Sequence, residues 1–360
     1  MPLTGNKGEW SEIYTLLKIL SDKNIYSGDS ELNKVETLLF PIIKIIRDGS
    51  KGTYEYEYDK DIVVIKGNCE VFRISITDFK DQAKVLLEKI KAANSSSFSV
   101  PETEVFLNRF NCKSIKAKSS VKTDIRVVVH DERIGHSLEL GFSIKSQIGG
   151  ASTLLNAGKT TNFIFEIIEN QISEEIINDI NNIKSKHKIK DRVKKIRDNF
   201  HNIKFIGTEN GIFENNLILI DSLLPDIIAY LLLKYYSSDL SKTTDLINDL
   251  SVYNPLNYNL QNEHPYYSYK FKRFLSDITL GMMPATVWKG KLDVSGGCLI
   301  VKDDGEVLCY HIYNRNDFEN YLLNNTRFET ASSTKYDFGY IYQEDERYFF
   351  KLNLQIRFLK

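Results

Sequence analysis

Asp124-Ile-Arg-Val-Val-Val-His130, Asp131-Glu-Arg-Ile-Gly135 and Leu138-Glu-Leu-Gly-Phe-Ser-Ile-Lys145 follow one another closely in the chain, and their reading decides the fold. The first is a β-branched run, the second a turn ending on glycine, and the third another strand, so together they predict a hairpin. Asp124 opens one strand and Lys145 closes the other, which sets the two ends side by side. Within the second strand Glu139, Gly141, Ser143 and Lys145 share one face, because side chains alternate along a strand. Gly149 and Gly150 then break the chain. Ser152 to Ala157 reads as a short helix capped by Gly158, and Asn162 to Ile168 as a third strand. This order, with helices before it, predicts an α/β (α+β) fold: a mixed sheet flanked by helices.

On the N-terminal side, Ile13, Leu16, Leu17 and Leu20 recur at helical spacing, so Glu9 to Leu20 is predicted as an amphipathic helix. Leu32 to Asp48 repeats that pattern and reads as a second helix. Thr53 to Ile76 is β-rich, with turns near Asp59-Lys60-Asp61 and Gly67-Asn68. Phe79 to Ala93 and Glu102 to Phe110 read as helices. On the C-terminal side, Ser173 to Asn199 reads as one long helix, and Leu217 to Tyr236 as a core strand followed by a core helix. Gly297 to Val301, Val307 to Tyr313 and Tyr348 to Phe358 read as strands, with Asp303-Asp304-Gly305 a hairpin turn. The predicted organisation is a core over residues 1–190 and a helical, then β-rich, region over 191–360.

Composition narrows the class. The chain has 360 residues, 42% hydrophobic and 26% charged, as in ordinary globular proteins. Its four cysteines, Cys69, Cys112, Cys298 and Cys309, contain no CxxC spacing and read as free thiols of a cytoplasmic protein. The apolar stretch at 217–236 is interrupted by Asp221, Pro225, Asp226 and Lys234, so no spanning helix is expected. The net charge of -1 excludes a polycationic arm but not a nucleic-acid partner, since the charges are unevenly placed. Residues 184–204 carry nine basic and two acidic residues, 205–263 two and eight, 264–302 six and two, and 303–350 four and ten. Such a distribution suits a one-sided basic groove on an otherwise acidic body.

A carboxylate and a lysine at adjoining strand ends suit metal-assisted phosphodiester hydrolysis. The carboxylate offers Mg²⁺ a hard oxygen, the metal acidifies its bound water, and the lysine positions or deprotonates that water. Most such neighbours are plain surface ion pairs. The flanking residues add to the pair. Thr4-Gly-Asn-Lys-Gly-Glu-Trp-Ser-Glu-Ile-Tyr14, Phe142-Ser-Ile-Lys-Ser146 with Gly149 and Thr153-Leu-Leu-Asn-Ala157, Thr161-Asn-Phe163, and Lys351-Leu-Asn-Leu-Gln-Ile-Arg-Phe358 resemble the HpaII restriction endonuclease family, from one terminus to the other.

That resemblance implies a PD-(D/E)xK-like core and a Type II enzyme that cuts both DNA strands with one or two Mg²⁺ ions. It further implies 5′-phosphate ends, a CCGG site cleaved after the first C, and protection by a cognate methyltransferase. A palindromic site implies either a homodimer or sequential nicking by a monomer. By the same resemblance Asp124 is the metal-binding acid and Lys145 the catalytic lysine. Ser143 stands where the family pattern usually has Asp or Glu, and a serine hydroxyl is a poor Mg²⁺ ligand. Glu12, with Glu9 one turn away, is the candidate replacement, against the alternative of a capped first helical turn. Glu139 lies roughly 13 Å along the strand from Ser143, too far to replace it without a bulge. Gln147 continues the face of Lys145 and is placed to orient water, or is a polar rim residue.

DNA contacts are expected from Lys118 and Lys122, which with Lys113 and Lys116 lead into Asp124. They are also expected from Lys184, Lys188 and Lys195 on the basic helix, and from Lys270 and Arg273 in Tyr266-Tyr-Ser-Tyr-Lys-Phe-Lys-Arg273. The competing readings are a solvated surface helix for the former and core packing for the latter. Gln261, Arg315, Asn316 and Arg327 are candidate base readers. His130, His136 and His311 lack metal-ligand spacing and read as structural. Two other activities fit the same residues: a structure-specific repair or recombination nuclease, and a non-catalytic DNA-binding module.

Overall fold

The computed structural model describes residues 2–49, 52–115, 123–131, 135–169 and 171–359. The chain forms two units. Unit 1 holds the residues up to Ser152 together with Leu292–Tyr321, and unit 2 holds Thr153–Lys291 and Leu322–Leu359.

Unit 1 opens with helix α1 (Lys7–Asp22), followed by strands β1 (Asn24–Gly28), β2 (Lys34–Gly49), β3 (Gly52–Asp59), β4 (Ile62–Gly67) and β5 (Glu70–Ser75). Helices α2 (Ile76–Ala92) and α3 (Pro101–Asn108) come next, then β6 (Ile125–Asp131) and β7 (His136–Ser146). The predicted hairpin is therefore present, with Ile125 opposite Phe142 and Val128 opposite Glu139. The strands Gly297–Val301 and Val307–His311 return to unit 1 and enter the same sheet, the former parallel to β7 and the latter parallel to β1. β1 also pairs with β2, so β1, 307–311, 297–301, β7, β6 and β2 close a six-membered ring, with β3, β4 and β5 extending outward from β2. The fold class is mixed α/β, as expected; the ring closure was not.

Local chemistry accounts for most of these elements. Asn6 accepts from the Glu9 backbone N–H at 3.0 Å while the Glu9 carboxylate accepts from the Asn6 N–H at 2.9 Å, a reciprocal cap that starts α1. The buried face of α1, with Trp10, Ile13, Leu16, Leu17 and Leu20, joins one core with Phe79, Leu86 and Ile90 of α2 and with Ile45, Val127, Phe142 and Leu299 of the sheet. Truncating one such leucine to alanine costs about 2–5 kcal/mol.

Residues 32–48 do not form a helix; Lys34–Gly49 is one 16-residue strand. The helix-like spacing of its apolar pairs comes from irregular pairing, since the register against β6 shifts between Ile42 and Lys44. A bulge resets the alternation and makes period two look like period 3.6. The β-branched residues Ile42, Ile43, Ile45 and Ile46, with Pro41, favour the extended form.

Unit 2 contains a four-stranded sheet of residues 203–208, 162–167, 347–353 and 341–344 and a three-stranded sheet of 326–328, 356–358 and 153–155. Thr153–Leu155 is thus a strand rather than the expected short helix. The expected long helix is two, Glu174–Asn181 and Lys188–Asn199. Residues 217–236 are helical on both sides of a break, in Gly211–Ile220 and Leu224–Ser237, and carry no strand. Continuous apolar runs leave strand and helix undecided, and burial of Phe213, Leu217, Ile227, Ile228, Leu231 and Leu232 decided for helix. Among the described residues no single helix is long and apolar enough to cross a membrane. The units do not meet at the expected boundary near residue 190, because residues 292–321 supply two strands that the ring of unit 1 requires.

Candidate active site

Asp124 sits immediately before β6, and the register that pairs Ile125 with Phe142 sets it across from Ser143. Its backbone N–H donates to the Phe142 carbonyl at 2.9 Å. Its carboxylate Oδ2 accepts from the Ile144 N–H at 2.6 Å and from the Ser143 hydroxyl at 3.3 Å. Burial pushes the Asp124 carboxyl above its ordinary value, while the positive charge of Lys145 and these two hydrogen bonds act in the opposite direction without cancelling it. Asp124, Ser143 and Lys145 are therefore brought together, on one face of adjoining strands.

The same face opens into a cleft of about 320 Å³ that Asp124 lines together with Arg126, Glu139, Asp48, Asp293 and Ser295. Among the described residues that line it Lys145 and Ser143 are absent: Ser143 is buried with its hydroxyl on Asp124 Oδ2, and Lys145 acts on Asp124 through its charge. Arg126 bridges Glu139 at 2.8 Å and Asp48 at 3.4 Å. Gly141 is required by close approach, since a Cβ there would meet the Thr123 methyl at 2.9 Å, one residue from Asp124. Its N–H donates to Ser295 Oγ at 2.9 Å, and Thr123 Oγ1 donates to the Asp293 carbonyl at 2.8 Å, which ties residues 293–295 to the site.

The chain is similar in sequence to known proteins over this whole arrangement. The model of the family described as HpaII restriction endonuclease matches residues 6–358. The Type II restriction enzyme HpaII of Haemophilus parainfluenzae is 46% identical over 99% of both chains. The chain belongs to the HpaII restriction endonuclease family. It is accordingly a Type II, site-specific deoxyribonuclease. No solved structure matches it.

Among the described residues no three of His, Cys, Asp and Glu stand close enough to hold a metal ion. Glu9 is committed to the helix cap. Glu12 is half-buried on α1, and its neighbour Ser11 donates to, or accepts from, Ser146 at 2.9 Å, one residue beyond Lys145. Gln147 is half-buried and extends the ladder, its N–H bonded to the Val301 carbonyl at 2.9 Å. The donor set fits a hard divalent cation held by one carboxylate. Among the described residues Asp124 Oδ1 accepts no hydrogen bond, and Mg²⁺ commonly takes one or two carboxylates plus water and phosphate oxygens.

The expected DNA contacts divide. Lys118 and Lys122, with Lys116, lie outside the described residues. In unit 2, Lys184 is exposed and Lys188 half-buried, and neither is in an ion pair among the described residues; Lys195 pairs with Asp179 at 3.4 Å. Lys270 is held by Asp221 beside the Tyr258 ring, with both charged side chains largely covered. Tyr267 and Phe271 of that helix are core residues, whereas Tyr269 is exposed. Arg273 is half-buried on the same helix. Arg315 and Arg327 are paired with Glu319 and Glu329.

Sequence reasoning missed Arg126, Asp48, Asp293 and Ser295. Arg126 was legible, since it shares the strand face of Asp124. Asp48 was hidden by the misread strand, and Asp293 and Ser295 carry no local signal at all.

Proposed function

We propose that this chain cleaves both strands of a CCGG site after the first C, leaving 5′-phosphates, through a PD-(D/E)xK-like centre built on Asp124, Ser143 and Lys145. The observation that carries this reading is the cross-strand pair of Asp124 and Ser143 with Lys145 two residues further along the same face. Asp124 would hold Mg²⁺, with Glu12 the candidate second acid, and the metal would supply an acidified water and neutralise phosphate charge. Ile144 and Ser143 fix the carboxylate by bonding one oxygen, leaving the other to face the ligand. Lys145 receives or positions the proton of the attacking water and offsets charge that develops on the phosphorane. Gln147 orients that water at the rim. The relative's name is the ground for the CCGG assignment. A cognate methyltransferase would protect the host DNA in the cytoplasm, and a dimer or two successive nicks would serve the two strands.

Digestion of plasmid DNA by the purified protein with Mg²⁺, followed by end-mapping, tests all of this together. Discrete fragments ending C^CGG with 5′-phosphates are expected. Preference for branched DNA, or cutting that survives both Asp124→Ala and Lys145→Ala, would sink the assignment.

A further inference from the structure

Unit 2 holds a second polar cavity, of about 570 Å³, at the start of the basic helix Lys188–Asn199. Three lysines line it, Lys186, Lys188 and Lys190, opposite the hydroxyl-bearing segment 330–334. Among the described residues Glu329 is the one acid that lines it, and that carboxylate is already matched by Arg327 at 3.3 Å and Arg357 at 2.9 Å. Lys186 and Lys188 are in no ion pair among the described residues. Lys190 is partly sunk into the wall. Its ammonium donates to the Ser238 carbonyl at 2.7 Å and lies 4.9 Å from the centre of the Tyr235 ring, and burial lowers its proton affinity. Asp239 acts on Lys190 through its charge, so Lys186 and Lys188 carry the cavity's unmatched positive charge, and an anion beside its partly covered wall gains more than it would in open water. The hydroxyls of Thr330, Ser332, Ser333 and Thr334 are oxygen partners of the kind that bind phosphate. The first backbone N–H groups of the helix, which has no side-chain cap, add to the same preference.

We propose that this cavity is a phosphate subsite that takes one backbone phosphate of the DNA and so anchors unit 2 on the duplex, independently of base sequence. The proposal rests on the assignment of the chain as a DNA-cutting enzyme and adds a contact to it. A phosphodiester and a free phosphate share the recognised chemistry; the lysines exposed just before the helix, Lys184 and Lys186, favour a polyanion that runs past the cavity.

The test compares the full-length protein with its Lys186→Ala/Lys188→Ala variant. A control, Lys80→Ala/Lys84→Ala, removes the same charge from α2. Affinity for a duplex is measured against salt concentration in the absence of divalent metal. Each phosphate contact contributes about 0.9 to the log–log salt slope. The cavity variant is expected to lose about one contact in slope and about tenfold in affinity at low salt, equally on duplexes with and without the site. The control is expected to change neither, and the mapped cut position in Mg²⁺ stays the same in all three proteins. Unchanged slope in the cavity variant, or an equal loss in the control, overturns the proposal. So does calorimetric binding of inorganic phosphate that depends on Lys186 and Lys188 while the DNA slope stays fixed, since the cavity would then serve a free anion. Failure of the unaltered protein to bind any duplex would instead strike at the DNA-cutting assignment itself.

Discussion

The proposed site centres on a single buried carboxylate, Asp124, and its energetics set the first prediction. The folded-state affinity of Asp124 for its proton is raised, chiefly by burial. A raised acid is most comfortable neutral, so it favours the folded state at low pH, and its ionisation costs stability as pH rises through the carboxylate range. Asp124→Asn keeps an oxygen for the Ile144 N–H and removes the buried charge. Denaturation of both proteins at several pH values is expected to show the variant more stable near neutrality, with the gap closing in acid. A variant less stable at pH 7 would contradict the assigned balance. The same substitution is expected to lower cleavage on the order of 10³-fold, the scale of losing one preorganised electrostatic group. Ser143→Asp makes the converse case. Two carboxylates would then face each other across the strands, each disfavouring ionisation of the other. Melting without metal is expected at lower temperature than for the native protein, with Mg²⁺ restoring it. A Mg²⁺-independent melting point would show that position 143 does not face the metal.

At the scale of elements, α1 joins fold and chemistry. Its first turn is secured by Glu9 through the Asn6 cap, and its next residues lie on the end of β7 through Ser11 and Ser146. Glu9 and Glu12 therefore separate by experiment. Glu9→Ala is expected to cost about 0.5–2 kcal/mol of stability, the range for a lost helix cap, with cleavage largely retained. Glu12→Gln is expected to reduce cleavage by at least tenfold and to raise the Mg²⁺ concentration needed for half-maximal rate. An unchanged metal requirement would return the second-acid role to another residue. The loop after β7 makes its own demand: Gly149 has φ +97° and packs on the Lys7 side chain, which any Cβ would strike. The helix and hairpin signals around this seam were legible because caps, turns and alternation are local. The strand Lys34–Gly49 was not, since its pairing irregularities scrambled the pattern.

For the molecule as a whole, chain order and structural order differ. Residues 1–150 contain seven of the strands in the nine-stranded sheet but not the two that complete its ring, which arrive from 297–311. A fragment of residues 1–190 would leave the β7 edge without its parallel neighbour and expose Phe142, Ile144 and the β1 edge. It is expected to be insoluble or unfolded by circular dichroism and inactive on DNA, whereas two separately folding domains divided at 190 would give a soluble, cooperatively melting fragment. The charge reading is also resolved at this scale. Of the nine basic residues between 184 and 204, Lys190, Arg192, Lys195 and Arg197 serve carbonyls, a carboxylate or a hydroxyl of unit 2 and Lys204 acts on Glu166 through its charge, while Lys184, Lys186, Lys188 and Lys194 remain for solvent or an anion.

The sequence by itself determined what depends on neighbours along the chain: the cap and apolar face of α1, the hairpin from Asp124 to Lys145, the turns, and the placement of Asp124 across from Ser143. Alternation and register follow from adjacent residues, so they can be read without coordinates. Only the tertiary structure decided that β7 pairs with 297–301 and that the sheet closes through β1. It alone brought Asp48, Asp293 and Ser295 around Asp124, and showed which lysines are already paired. Those facts depend on contacts between residues distant in sequence, where burial and pairing, not local propensity, set the free energy.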